Sequence, residues 1–175
     1  MTLESSHEIV ISNIKVQELM SSVAEVNMLQ NSTWYTYQEA NIGGLTNSTL
    51  SEEGFVLTVK NTGVNPWDAV LQTEGISLEK GTKYRISYTI KASKNWKYQP
   101  QCSSNSEKGD IWYGGSDPIE ATSEFVTQSF EFTMNKETDS NSQFKFLVGK
   151  LDENSLEENE TVKITIKDIK LVKIS

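Results

Sequence analysis

Apolar Tyr84, Ile86, Tyr88 and Ile90 alternate strictly with polar Arg85, Ser87, Thr89 and Lys91, and this admits one kind of local structure. A period of two puts each set on its own face of an extended strand, whereas a helix would scatter both around its axis. The period recurs at Phe55, Leu57 and Val59, at Phe130, Phe132 and Met134, and at Phe144, Phe146 and Val148. Each run is offset against residues suited to the opposite face, so half-buried antiparallel strands are predicted. Turn chemistry separates them: Glu53-Gly54, Asn61-Thr62-Gly63, Lys80-Gly81, Gly114-Gly115 and Asp117-Pro118. Many short strands punctuated in this way predict an all-β chain, a β-sandwich or jelly roll of two antiparallel sheets.

A chain of 175 residues fits one domain and can bury enough apolar surface to fold without disulfides or metals. Its formal charge of -8 repels a phosphate backbone or an anionic membrane, so neither nucleic acid nor membrane is expected as partner and a neutral ligand suits it better. No apolar run approaches the roughly 18 residues of a transmembrane helix. Cys102 is the only cysteine, which excludes an intramolecular disulfide and a thiolate cluster. His7, the only histidine, lies in a Ser/Glu-rich start and reads as solvated tail rather than as part of a nucleophilic triad. That start lacks the charged and apolar regions of a signal peptide.

Residues 1–26 are expected to be a linker or an N-terminal strand extension, and 27–175 the folded module. Within the first part, Val16, Leu19, Met20, Val23 and Val26 have near-helical spacing, which leaves a short helix and an irregular strand both open. Ile9 to Val16 repeats Ile164 to Leu171 in four of eight positions, either by coincidence or because a similar module precedes this one. Ile169 and Leu171 fall on the opposite parity to Ile164 and Ile166 unless a bulge near Asp168 adds a residue. The acidic stretch Asp152 to Glu160 reads as a solvated loop.

Glycan recognition needs aromatic faces for pyranose rings, flanked by amides and carboxylates for hydroxyls. The chain carries four Trp and six Tyr. If Trp67 to Gln72 is one strand, Trp67, Ala69 and Leu71 share one face while Asp68, Val70 and Gln72 share the other. One face would pack and the other bind.

Gly63-Val64-Asn65-Pro66-Trp67-Asp68-Ala69-Val70-Leu71-Gln72, with Lys80 to Ala92 after it, closely resembles the core of the β-jelly-roll carbohydrate-binding modules of the family 4 and 9 group. Trp34-Tyr35-Thr36-Tyr37 is similar to the tryptophan-x-x-tyrosine that follows the first strand of family 4 modules, and Ile164 to Leu171 carries the likeness to the end of the chain. The resemblance implies a concave cleft that binds a single polysaccharide chain of β-glucan type (mixed-linkage β-glucan or amorphous cellulose) or xylan, without catalysis. It implies a partner glycoside hydrolase in the same multi-modular, extracellular protein, directed to plant cell wall, with a tandem module beside it.

Residue by residue, Tyr37 corresponds to an aromatic flanking the cleft, and Gln72, Gln99 and Gln143 to cleft amides. Gln101 shares the face of Gln99, and Leu147 replaces a polar group often found four residues after Gln143. Trp112 and Tyr113 lie where similar modules place the second stacking aromatic, and Asp68 would accept from sugar hydroxyls. Gly54 and Asp168 match the places of two ligands of a structural calcium ion, although the run before Trp34 departs from the family pattern and Asp168 reads equally as a bulge residue. Trp34, Trp67, Trp96 and Tyr98 are expected to be structural.

Two other classes stay open. In a jelly-roll glycanase, two inward carboxylates would act as acid and as nucleophile or base, and Asp68 and Glu131 are the candidates. In an ancillary spacer or protein-contact domain, the fold would persist without a ligand, with Leu147 in the cleft in its favour.

Overall fold

The computed structural model describes residues 25–38 and 45–174. His7, the repeat at Ile9 to Val16 and the helical spacing of Val16 to Val23 lie outside them. Among the described residues there are eleven strands: β1 (Tyr35–Gln38), β2 (Leu45–Ser51), β3 (Gly54–Val59), β4 (Ala69–Leu78), β5 (Lys83–Ala92), β6 (Trp96–Ser103), β7 (Trp112–Gly115), β8 (Ile119–Ala121), β9 (Val126–Thr133), β10 (Asp139–Leu147) and β11 (Val162–Lys173). Short 3-10 turns lie at Pro66–Asp68 and Ser106–Lys108.

The strands form two antiparallel sheets, the β-sandwich jelly roll that alternation predicts. One runs β1-β4-β10-β6-β7, with β8 also paired to β6, and the other runs β2-β3-β11-β5-β9. The first carries the site.

The core lies between them, filled by the residues that alternation points inward. Tyr84, Ile86, Tyr88 and Ile90 from β5 meet Leu71, Trp96, Tyr98, Phe144 and Phe146 of the first sheet, all buried. Trp34 packs on Phe55, Phe144 and Phe146 with ring centroids 5.6, 6.0 and 6.2 Å apart. Buried polar tips find partners, as such groups must. The Tyr88 and Tyr98 hydroxyls meet at 3.0 Å, and Trp96 Nε1 donates to the Val148 carbonyl at 3.0 Å. Burial pushes the Tyr98 hydroxyl up to about 12.

The bulge near Asp168 is present: the pairing of β11 with β5 shifts register between Lys167 and Lys170, and Asp168 takes φ 53. The extra residue restores Leu171 to the core. It also leaves backbone groups for the incoming chain, where Asn27 Nδ2 donates to the Ile169 carbonyl at 3.1 Å and Asn27 Oδ1 accepts from Leu171 N–H at 3.0 Å.

Most of the acidic loop is solvated, but Leu156 packs against the core, Glu160 pairs with Lys94 and Asn154 is buried. That buried side chain pairs with the edge of β6, accepting from Lys97 N–H at 2.8 Å and donating to the Lys97 carbonyl at 2.7 Å. It holds the loop to the sheet.

Candidate functional site

On the outer face of the first sheet, cross-strand register aligns side chains into two ribs. Gln72 of β4 faces Lys145 of β10, which faces Gln101 of β6, and Gly115 of β7 ends this rib. Beside it Tyr37 of β1, Val70 of β4, Leu147 of β10 and Gln99 of β6 form a second. One rib is polar and the other largely apolar. Between and around them runs a groove of ≈ 620 Å³ whose lining includes Tyr37, Trp67, Val70, Gln72, Gln99, Gln101, Asp110, Trp112, Gln143, Lys145 and Leu147.

The floor is fixed by β10, the middle strand, whose residues are buried on both faces from Ser142 to Leu147. Phe144 and Phe146 point into the core, and Gln143, Lys145 and Leu147 form the groove floor. Gln143 Oε1 is buried without a hydrogen-bond partner among the described residues, which costs about 1–3 kcal/mol while no donor reaches it. Gln99 commits one N–H to the Ser116 carbonyl at 3.0 Å, leaving its own oxygen available.

Three aromatic rings rise from this floor with much of their surface in solvent: Trp67 at 58% exposure, Tyr37 at 46% and Trp112 at 44%. Rings so exposed on a groove are suited to stacking on an apolar ligand face. Trp112 lies against its own strand. A β-carbon built on Gly115 would fall 2.5 Å from Trp112 Cη2, and one on Gly114 would fall 2.3 Å from Phe132 Cγ of the other sheet. Glycine at both positions lets β7 approach the sandwich while the indole rests on the strand.

Trp67 corrects the expectation of a structural role, and Asp68 that of a ligand contact. Pro66–Asp68 is a 3-10 turn, so alternation starts only at Ala69. A proline with fixed φ opens the turn, and three residues per turn swing Trp67 outward and Asp68 inward. The Asp68 carboxylate, 5% exposed, accepts from Val64 and Asn65 N–H at 2.8 Å each. Gly63, at φ 68, is required because a β-carbon there would lie 2.4 Å from Asp68 Cβ. From the other side Gly149 and Lys150 N–H donate to the Pro66 and Asn65 carbonyls at 3.1 and 3.0 Å. The indole therefore stands on a turn held by backbone bonds.

Asp68→Ala should therefore lower stability by about 1–3 kcal/mol, because the Val64 and Asn65 N–H groups lose a charged acceptor that is itself buried. Ligand affinity should fall several-fold as the turn under Trp67 loosens. Asp68→Asn keeps an acceptor oxygen and should retain most of both. Denaturant unfolding and ligand titration of the two variants decide: affinity lost in the Asn variant at unchanged stability would return Asp68 to the ligand.

Tyr113 also departs from expectation. Adjacent strand residues point to opposite faces, so with Trp112 on the groove Tyr113 turns away and donates to Asp139 Oδ2 at 2.8 Å. Lys108 Nζ reaches Asp139 Oδ1 at 2.5 Å. Glu131 lies on β9 of the other sheet, paired with Lys83, so Asp68 and Glu131 are not a facing catalytic pair. Gly54 opens β3 beside β11, the strand whose bulge carries Asp168, and among the described residues no group of three or more His, Cys, Asp or Glu is fit to hold a metal.

Sequence reasoning missed Lys145 and its partner Asp110, along with Pro66, which line the groove. Parity with Gln143 and Leu147 was the available signal for Lys145. The proline ahead of the strand was the signal for Trp67.

A family model described as a carbohydrate binding domain matches residues 29–161. A cellulose 1,4-beta-cellobiosidase of Acetivibrio thermocellus is 30% identical over 99 residues, which is 55% of this chain and 11% of that protein. The chain thus spans about a tenth of the curated relative it matches. Among solved structures, a family 4 carbohydrate-binding module is similar at TM-score 0.67 and 20% identity over 85% of this chain and 93% of its own. The N-terminal cellulose-binding domain of Cellulomonas fimi beta-1,4-glucanase C is similar at TM-score 0.56 and 20% identity, over 81% of this chain and 89% of its own.

Proposed function

Because this chain belongs to the carbohydrate binding domain family whose model covers residues 29–161, we propose that its groove takes one chain of a neutral polysaccharide and that the module is not itself an enzyme. The observation that carries this reading is the set of three exposed rings, Tyr37, Trp67 and Trp112, standing around an amide-lined floor. The rings stack on apolar sugar faces while Gln72, Gln99, Gln101 and Gln143 bond the hydroxyls. A groove, unlike a flat face, suits a single chain such as mixed-linkage β-glucan, amorphous cellulose or xylan rather than a crystalline surface. Cellulose appears in the names of two relatives, which supports β-1,4-glucan as the first polymer to test.

Affinity should be modest, since stacking is offset by desolvating hydroxyls and ordering a flexible chain. The module would act outside the cell by tethering an attached glycoside hydrolase, raising the effective concentration of that enzyme on its polymer. A further module in tandem would add avidity in the same way.

Native affinity electrophoresis against barley mixed-linkage β-glucan, laminarin, hydroxyethylcellulose, xylan, glucomannan and xyloglucan tests this. Retardation by one or two polymers is the expected result. Free migration in every gel would overturn the reading in favour of a spacer domain.

A further inference from the structure

The fold gives no reason for a lysine at the centre of the groove floor. Lys145 stands on β10 between Gln72 and Gln101 at 8% exposure, where the core packing of this strand is already made by Phe144 and Phe146 on the other face. Its ammonium is paired with Asp110, which sits in the loop between β6 and β7. That loop is itself built: Ile111 N–H donates to Ser104 Oγ at 2.8 Å, Ser104 N–H to the Ile111 carbonyl at 2.9 Å, and Lys108 N–H to Asn105 Oδ1 at 3.1 Å. The loop that carries the Asp110 carboxylate is therefore held in place.

An ammonium has three donors and no acceptor. One N–H of Lys145 goes to Asp110, and no other acceptor among the described residues takes the remaining two. Two residues away on the same face, about 7 Å along the strand, lies the opposite deficit, the buried and unpartnered Gln143 Oε1. A fixed donor beside a fixed acceptor is complemented by a group that accepts and donates at once, and that group is a hydroxyl.

We propose that Lys145, aimed by Asp110, joins Gln143 in a hydroxyl-recognition subsite at the middle of the groove, where one sugar hydroxyl accepts from Lys145 Nζ and donates to Gln143 Oε1. The inference rests on the reading of the groove as a polysaccharide site. Charge selects a neutral hydroxyl over a uronate carboxylate. Asp110 neutralises Lys145 and itself lines the groove, and the chain carries a formal charge of -8, so a uronate would meet an anion beside its cation. Asp110 acts as a positioning residue. The subsite also supplies selectivity, because a sugar lacking that hydroxyl leaves the buried Gln143 Oε1 unpaired and the remaining N–H groups of Lys145 unmet.

Calorimetric titration of the wild type and of Lys145→Met, Lys145→Arg, Asp110→Asn and the Asp110→Asn/Lys145→Met pair tests this, using the polymer that retards the wild type, with circular dichroism to confirm folding. Lys145→Met should weaken binding about tenfold, or 1.4 kcal/mol, and Lys145→Arg should recover most of that loss. The paired variant should bind no more weakly than Lys145→Met, because Asp110 works through Lys145. Raising NaCl from about 0.05 to 0.5 M should change wild-type affinity less than about threefold, as befits a neutral ligand.

Wild-type affinity in Lys145→Met would overturn the subsite while leaving the glycan reading intact. Additive losses in the pair would overturn the positioning role of Asp110. Preference for a glucuronoxylan over neutral polymers, with steep salt dependence, would overturn the hydroxyl in favour of a carboxylate. A wild type that binds no polymer would remove the reading and the subsite together.

Discussion

Trp67→Ala and Trp112→Ala should each lower polysaccharide affinity at least tenfold, about 1.4 kcal/mol apiece, and the double variant should bind about a hundredfold more weakly. Trp67 stands at the turn leading into β4 and Trp112 on β7 at the sheet edge. Three strand spacings, roughly 14 Å, separate them across the sheet, and the register displaces them further in opposite directions along the strands. Two platforms so far apart stack on different sugars of one chain, so their losses should add. Stability should change little, because each ring already leaves about half of its surface in solvent, at 58% and 44% exposure. Tyr37→Ala should behave like the single Trp variants. Titration of the retained polymer into each variant, alongside thermal unfolding, is the check, and unchanged affinity in both Trp variants would remove the groove from the function.

The same rings show where a sequence stops being legible. Alternation places the inward side chains of β5 correctly because that strand alternates through its length, and Phe144 and Phe146 of β10 because its pairing with β6 runs without a shift from Gln143 to Leu147. It misplaces Trp67 and Asp68 because the 3-10 turn opened by Pro66 takes the first two residues of the expected strand, which exchanges inside for outside. The pairing of Trp112 with Tyr113 as two ligand contacts fails by the parity rule itself, since neighbours on a strand diverge. Tyr37, Gln72, Gln99, Gln101 and Gln143 line one groove. They come from four strands that only the sheet order brings together, which family likeness can carry and local pattern cannot. Asp110 and Lys145 are 35 residues apart, and nothing local announces their pairing.

Asp139→Ala should cost about 2–4 kcal/mol of stability, the range for removing a buried, hydrogen-bonded carboxylate. Asp139 is 3% exposed and accepts from Lys108 Nζ at 2.5 Å, Tyr113 Oη at 2.8 Å and Asn141 N–H at 3.0 Å. Burial by itself raises its pKa, but the bonds from Lys108, Asn141 and Tyr113 outweigh burial and hold it below the ordinary carboxylate value. A lowered folded pKa means that the charged form contributes stability above the unfolded value of about 3.9, and that this contribution is lost as pH falls through the folded pKa.

The Tyr113 hydroxyl runs the other way. Burial first, then its bond to Asp139 and the charge of that carboxylate, push it up to about 12. Its contribution is complete below the unfolded value of about 10 and is lost as pH rises from there through 12. Urea unfolding across pH should therefore show Asp139→Asn flattening the acid limb, Tyr113→Phe flattening the alkaline limb, and Asp139→Ala flattening both. An acid limb unchanged in Asp139→Asn would show that the carboxylate is not the group whose protonation loosens the fold. Because Tyr113 adjoins Trp112, the variant that loses this anchor should also bind glycan more weakly than its stability alone accounts for, which ties the edge of the groove to one buried carboxylate behind it.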